Sequence, residues 1–172
     1  MNKLLKEYAE YNHWANQRLI TYLRDYPHEL IRKNVISSFP SIEKTLLHIW
    51  DGQIVWLSRL NGYSPSEFPS HQYQSMIHTL YDGILITSQQ LSEWIAEHVT
   101  SDEEANTEIS YTRINGEPKQ SFAYHMLMHV FNHSTYHRGQ IVTMCKQLGF
   151  KEIPSTDFIY RIRLEQKGKA SK

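Results

Sequence analysis

The side chains best suited to chemistry lie in one run near the C-terminal third of the chain. His125, His129, His133 and His137 recur at every fourth position. In an α-helix of about 3.6 residues per turn, each step of four turns the side chain by only about 40° around the axis. The four rings therefore form a slowly winding stripe. Neighbouring members have Cβ atoms roughly 6 Å apart, which is close enough for two imidazoles to bind one metal ion.

The whole stripe is too wide for a single ion. Four rings fan across roughly 120° of the helix surface, so one ion would take one adjacent pair and would need its remaining ligands from another helix. Spacing alone leaves the choice of pair open. Without a metal, a stripe of four rings would leave many ring nitrogens to satisfy, because each buried one needs a hydrogen-bond partner. The pattern therefore predicts at least one bound metal ion.

The best candidate for a ligand outside the stripe is His48, in the middle of another predicted helix. Apolar residues flank it, and Gly52 lies one turn further along the same side. A glycine inside a helix costs roughly 1 kcal/mol relative to alanine, and one reason to keep it is to clear space beside a ligand. Close packing against a neighbouring helix explains Gly52 equally well, and both explanations stay open.

Composition excludes several functional classes. Lys plus Arg equals Asp plus Glu at 18 each, so no excess charge draws the chain to nucleic acid or to an acidic membrane surface. Ten histidines accompany the single cysteine, Cys145. This ratio favours nitrogen ligands over thiolates, and one cysteine excludes an intramolecular disulfide. No signal peptide and no apolar run of about 18 residues is present, so we expect a cytoplasmic protein that does not bind membranes.

Four long helices are predicted to position the histidines. Apolar residues at steps of three and four mark helices over residues 3–24, from Pro40-Ser41 to Asn61-Gly62, over 72–98 and over 121–148. Residues 108–117 alternate in polarity and lead into Asn115-Gly116, which predicts a small β-hairpin. A last short helix is predicted near residues 157–160.

These elements predict one all-α domain, a four-helix bundle over residues 1–165 with a charged C-terminal tail over 166–172. The connection between the third and fourth helices exceeds the usual ~2–8 residues of bundle loops, so one long crossover carrying the hairpin is expected. Apolar residues also lie on the side of the histidine helix away from the stripe. Because a helix that is apolar on both sides is covered on both sides, we expect a homodimer. These residues are Leu127, Phe131, Val142 and Cys145.

Residues 129–140, with Asn132-His133 and the run from Tyr136 through His137, Arg138 and Gly139 to Gln140, resemble the signature of the DinB-like family of bacterial damage-inducible proteins. Residues 8–19, 41–56 and 157–160 resemble the family's other landmarks, so the resemblance covers nearly the whole chain. It implies a bundle of up-down-down-up order that is commonly dimeric. It also implies a divalent metal ion held by His48, His133 and His137, with His129 beside the site, and it assigns no role to His125.

Three neutral imidazoles would leave the ion's charge uncompensated and at least one position open, as at catalytic zinc sites. We expect zinc or nickel, one ion per subunit, to activate water or a thiol. His129, Asn132 and Gln140 are candidates to orient the ligands by hydrogen bonds, and no catalytic base is identified. Relatives implied by the resemblance include bacillithiol transferases and a mycothiol-dependent maleylpyruvate isomerase. The expected activity is therefore a thiol-dependent S-transferase acting on small electrophiles, with a low-molecular-weight thiol as partner.

Two alternatives stay open. If the site activates water, the protein is a metal-dependent hydrolase. If the ion only clamps the helices together, the protein is a non-catalytic, stress-induced metal-binding protein.

Overall fold

The structure of the protein is a computed structural model, and it describes residues 1–170. Over this range the chain forms eight helices and one two-stranded sheet. In chain order they are α1 (Asn2–Leu23), α2 (His28–Arg32), α3 (Ile42–Leu60), α4 (Pro69–Gln72), α5 (Ile77–His98), α6 (Asp102–Ala105), β1 (Glu108–Thr112), β2 (Pro118–Phe122), α7 (Ala123–Gln147) and α8 (Phe158–Ala170). The four long helices α1, α3, α5 and α7 make the bundle.

Two apolar clusters give the direction of each long helix. One cluster joins the C-terminal parts of α1 and α7 to the N-terminal parts of α3 and α5, with Leu23, Ile42, Ile77 and Cys145 among its members. The other cluster joins the opposite ends of the same helices. Helices α1 and α7 therefore run one way while α3 and α5 run the other, which is the expected up-down-down-up order. Around the bundle, α3 packs against α5 and α7, and α1 packs against the same two helices.

Helix α3, which carries His48, begins and ends where the sequence predicts. Ser41 is the N-cap, and its side chain accepts a hydrogen bond from the Lys44 backbone N–H at 3.2 Å. Such a cap is worth about 1 kcal/mol of helix stability. At the other end, Gly62 has a φ of +84°, a left-handed conformation that glycine adopts at little cost. These signals fix the span that presents His48 to α7.

The predicted hairpin is present. Strands β1 and β2 pair antiparallel, with Glu108 opposite Phe122 and Thr112 opposite Pro118. The connecting loop holds five residues, 113–117, and Gly116 within it has a φ of +82°. Strand β2 leads directly into α7, and the hairpin lies where α3 ends, with the Ser110 carbonyl oxygen 3.8 Å from the Cβ position of Gly62. The long connection that carries the hairpin thus ends at the start of α7, beside α3.

Two features differ from the sequence-based expectation. The third long helix begins at Ile77, because Ser75 has a φ of 60° and separates it from the short helix α4. The last helix is longer than predicted and continues to Ala170, which includes part of the segment that we predicted to be a tail. Residues 171 and 172 of that segment lie outside the described residues.

The packing of α7 removes most of the reason for expecting a homodimer. Leu127, Phe131 and Cys145 are fully buried within the single chain, inside the two apolar clusters. These three need no second copy to cover them, whereas Val142, the fourth residue of that side, is half-buried. The exposed face of α7 instead carries Tyr136, which is 63% exposed. The homodimer itself stays a prediction.

Within residues 1–170, we find no helix with the length and apolar character that crossing a bilayer requires.

Close packing of α3 against α5 can be tested at Gly83. A Cβ atom added to Gly83 would lie 2.2 Å from Cζ2 of Trp50, so the Trp50 ring must move. We expect Gly83→Ala to lower the free energy of unfolding by about 1–3 kcal/mol, measured by urea denaturation. Gly139→Ala is the matched control, because its Cβ position has no atom of the described residues within 4 Å beyond its chain neighbours and the adjacent backbone of its own helix. The control should gain up to about 1 kcal/mol from helix propensity, and equal stabilities of the two variants would contradict this account.

Candidate metal centre

Helices α3 and α7 bring three histidine rings together. His48 comes from the middle of α3, and His133 and His137 come from successive turns of α7. Their ring centroids lie 4.7 Å (His48–His133), 4.6 Å (His48–His137) and 4.4 Å (His133–His137) apart. One ligating nitrogen of each ring lies within 4.8 Å of the others. Of the four histidines in the stripe, the last adjacent pair, His133 and His137, is therefore the one that lies beside His48.

Gly52 makes room for this arrangement. A Cβ atom at Gly52 would lie 2.8 Å from Cε1 and 3.0 Å from Nδ1 of His133. Any larger residue would push the His133 ring out of the interface between the helices. Of the two explanations left open by the sequence, the structure supports space for a histidine ring of the cluster.

The nitrogens that face one another are the Nε2 atoms. His133 Nε2 and His48 Nε2 lie 2.9 Å apart and share one proton in a hydrogen bond. Nδ1 of His133 is buried and has no hydrogen-bond partner among the described residues. The His133 ring is therefore held by packing and by its one hydrogen bond to His48.

A short chain of hydrogen bonds orients His137. Its Nδ1 donates to Oε1 of Gln140 at 2.7 Å, and Nε2 of Gln140 donates to Oγ of Ser38 at 3.0 Å. With the ring proton on Nδ1, the lone pair of His137 Nε2 is free to bind a cation. Gln140, predicted to orient an imidazole, is thus in hydrogen-bond contact with one.

The loop before α3 packs over the cluster. The Phe39 ring lies 4.4 Å from the His48 ring and 5.6 Å from the His137 ring, measured between centroids. A hydrogen bond of 2.9 Å from the Val35 N–H to the Pro40 carbonyl oxygen closes this loop. Phe39 and Ser38 are site residues that the sequence analysis missed, because a single loop phenylalanine and serine carry no periodic or spacing signal.

Burial and mutual repulsion keep the three rings neutral. Desolvation, followed by the neighbouring His137, His48 and His129, lowers the pKa of His133 to about 3. Desolvation also lowers the pKa of His48, and the charge of His137 adds to this effect while Asp51 opposes it. The pKa of His137 is lowered by desolvation, against the Gln140 hydrogen bond. Metal binding requires neutral imidazoles, so the cluster is prepared for it at neutral pH.

The donor set fits a divalent ion. Tetrahedral coordination with metal–nitrogen distances of about 2.0–2.1 Å puts the ligating nitrogens about 3.3 Å from each other. In the cluster, two Nε2 atoms lie 2.9 Å apart, and all the ligating atoms lie within 4.8 Å of one another. The nitrogen–nitrogen distance expected around a tetrahedral ion falls between these two values. Three neutral nitrogens without a carboxylate or thiolate suit zinc, nickel, copper or iron. His48, His133 and His137 are therefore the residues that would hold the ion.

The other residues predicted near the site divide into two groups. His129 lies beside the cluster, with its ring stacked at 6.0 Å from His133 and at 4.6 Å from Trp56. His125 lies apart and contacts the Phe122 and Tyr124 rings instead. Asn132 is exposed and makes no hydrogen bond to the three rings within the described part of the chain.

Arg138 braces the bundle rather than the site. It is 2% exposed, and its Nη1 donates to Oδ1 of Asn12 and Oδ1 of Asn16, both at 2.8 Å. Its Nη2 donates to Oγ1 of Thr135. This cation fixes α7 against α1, on the side away from α3.

The choice of ligands can be tested by metal titration. We expect His48→Ala and His137→Ala to weaken binding of Zn²⁺ or Ni²⁺ by about a hundredfold or more, and Gln140→Ala by roughly tenfold, because ligands and the groups that orient them both set affinity. Isothermal titration calorimetry on tag-free protein measures this. His125→Ala is the control and should bind as the wild type does. A loss of metal in His125→Ala with retention in His137→Ala would mean that the other end of the stripe binds the ion.

Acidification should destabilise the metal-free protein through His133. Its pKa is about 3 in the folded chain against an ordinary value of 6.5. Between these values the unfolded chain binds more protons, so the free energy of unfolding falls as the pH drops from about 6.5 towards about 3. Urea denaturation at about pH 7 and about pH 4.5 tests this expectation. His133→Gln should lose less stability over that interval than the wild type, and an equal loss would show that His133 does not carry the effect.

Comparison with known proteins identifies the family and the fold of the chain. The DinB family profile matches residues 1–168. Protein DinB of Bacillus subtilis (strain 168) is 28% identical over 158 residues, which cover 88% of this chain and 90% of that protein. The crystal structure of a DinB-like protein from Bacillus cereus ATCC 10987 superposes with a TM-score of 0.65 at 18% identity, covering 85% of this chain and 91% of the other. The fold is therefore shared with a DinB-like protein, and by its sequence the chain belongs to the DinB family.

Proposed function

We propose that this protein is a metal-dependent enzyme, and that its reaction is the transfer of a small thiol onto an electrophile. The observation that carries this proposal is the convergence of three neutral imidazoles from two helices, with no carboxylate or thiol among the clustered ligand groups. A closed structural site usually has four protein ligands, whereas three leave a position for a small molecule. The resemblance to a family with thiol-dependent members supports the choice of a thiol.

The ion would supply Lewis acidity, which lowers the pKa of a thiol or a water molecule held at the open position. The residues of the chain do the rest. Gln140 fixes the tautomer of His137, Gly52 lets His133 reach the centre, and Phe39 covers the rings from one side. In the transfer, the thiol proton passes to solvent and the sulfur forms a bond to an electrophilic carbon. The leaving group departs with the electron pair of the bond that breaks.

The carboxylates of α3 favour transfer over hydrolysis. Metal-dependent hydrolases commonly add a carboxylate that takes a proton from water. Glu43 is engaged by the Arg32 guanidinium and the Tyr73 hydroxyl, each at 2.8 Å. The Asp51 side chain accepts a hydrogen bond from the Ser70 backbone N–H at 2.9 Å. With both carboxylates occupied, a nucleophile that ionises readily, such as a thiol, suits this site better than water.

We further propose that the enzyme works in the cytoplasm as a homodimer, with no nucleic acid or membrane as partner. Balanced charge supports the absence of a nucleic-acid partner. On α7, the exposed Tyr136 and the open space beside Gly139 leave a face that a second copy could cover.

Thiol consumption tests the proposed activity. Tag-free protein loaded with Zn²⁺ or Ni²⁺ is mixed with bacillithiol or cysteine and a bromoalkyl electrophile, and loss of free thiol is followed. We expect turnover that disappears in His48→Ala and after chelation, while His125→Ala remains active.

Two outcomes would favour the other functions. Metal-dependent cleavage of esters or amides without any thiol would identify a hydrolase. A metal whose removal lowers the midpoint of thermal unfolding, with no turnover of either kind, would identify a non-catalytic protein.

A further inference from the structure

A row of neighbouring rings leads away from the three histidines between α3 and α7. It runs from His133 to His129, with 6.0 Å between ring centroids, and from His129 to Trp56 at 4.6 Å. The Trp56 ring in turn lies 6.3 Å from the Tyr111 ring of strand β1. Each of these rings is at least partly exposed. The row is therefore a surface that a molecule anchored at the three histidines would follow.

A cation lies at the far end of this row. The guanidinium carbon of Arg59 is 4.9 Å from the Trp56 ring centroid and 5.1 Å from that of Tyr111. Its Nε donates to Oγ of Ser64 at 3.1 Å, which leaves both terminal amino groups without an acceptor in the described part of the chain. An arginine beside aromatic rings can present this pair of amino groups to the two oxygens of a carboxylate.

Arg59 lacks the acidic partner that other arginines have. Arg24, Arg32 and Arg113 each contact a carboxylate oxygen, at 2.7, 2.8 and 3.2 Å. No carboxylate of the described residues pairs with Arg59. Burial lowers the pKa of Arg59, against the opposing effect of Tyr111 and with a smaller contribution from Arg113.

One other arginine has similar surroundings and provides a comparison. Arg18 also lies near two aromatic rings, Trp14 and Tyr160, at 5.6 and 5.2 Å. Its Nε donates to the Ser155 carbonyl oxygen. Arg18 lies on α1 against α8, and no row of rings joins it to the three histidines. The position relative to the metal centre is therefore what distinguishes Arg59.

We propose that Arg59, beside the Trp56 and Tyr111 rings, binds a carboxylate of the thiol whose sulfur lies at the three-histidine centre. The inference rests on the proposed function. Arg59 follows His48 by about three turns of α3, a rise of roughly 16 Å. The metal–sulfur bond at one end and the carboxylate–guanidinium contact at the other take up on the order of 2 Å and 4 Å of that distance. The substrate class is therefore an extended thiol whose terminal carboxylate lies on the order of 10 Å from its sulfur.

Synthetic thiols of matched length test the assignment. Mercaptooctanoic acid, with its sulfur and carboxylate at opposite ends, spans about 10 Å, and mercaptooctanol is its uncharged counterpart. We expect the acid to bind the zinc-loaded wild-type protein at least about tenfold more tightly than the alcohol, measured by isothermal titration calorimetry. Mercaptopropionic acid is too short to reach Arg59 and should bind independently of it.

Two variants assign the preference to one residue. Arg59→Met keeps an apolar stem against the two rings and should reduce the preference for the acid to about one. Arg18→Met removes the same charge from similar surroundings and should retain the wild-type preference. Circular dichroism checks that both variants fold. If Arg59→Met does not fold, Arg59→Lys decides, because it keeps the charge and should retain part of the preference.

The outcomes separate this inference from the proposed function. Equal binding of acid and alcohol by the wild type, or an equal loss in Arg18→Met, overturns the role of Arg59 even if both thiols are consumed. An Arg59-dependent preference without consumption of any thiol sustains the carboxylate site and overturns the transferase.

Discussion

The candidate site depends on the space between α3 and α7 at the level of Gly52. At that level α3 has Gly52, and the His133 ring occupies the space that a Cβ atom would fill. Because the His133 ring lies in that space, its Nε2 atom reaches hydrogen-bond distance from Nε2 of His48. A side chain at position 52 would displace the ring and break this contact. Glycine inside a helix costs about 1 kcal/mol of stability relative to alanine. In α3 this cost accompanies the space that Gly52 leaves for the His133 ring.

On its other side, helix α7 is held against α1 by hydrogen bonds. The buried guanidinium of Arg138 is bound by the side-chain oxygens of Asn12 and Asn16 on α1. Apolar contacts at both ends of α7 complete its packing. A helix fixed by polar bonds on one side and by a ring against a glycine on the other has little freedom to rotate. The direction of the His133 and His137 rings follows from that restriction, and preorganised ligands bind metal more tightly than mobile ones.

Much of this arrangement could be predicted from the sequence, because it depends on local periodicity. The helix spans, the hairpin at Asn115-Gly116 and the helix end at Gly62 follow from patterns within a few residues. Spacing could show that two adjacent histidines of the stripe would cooperate, but the choice of pair needed the family resemblance. The loop contact of Phe39 and the row from His129 to Arg59 depend on where separate segments meet, which no local pattern encodes. The covering of Leu127 and Phe131 within one chain depends on the same long-range packing.

The hydrogen bonds from Ser38 through Gln140 to His137 link the centre to the surface. Ser38 belongs to the same loop as Ile36, whose side chain is 95% exposed. A shift of this loop would take away the hydroxyl that aligns the Gln140 amide, and the imidazole would then lose its preferred tautomer. The electron-donating strength of one ligand is thus coupled, through a single amide, to the position of a surface segment more than 90 residues earlier in the sequence.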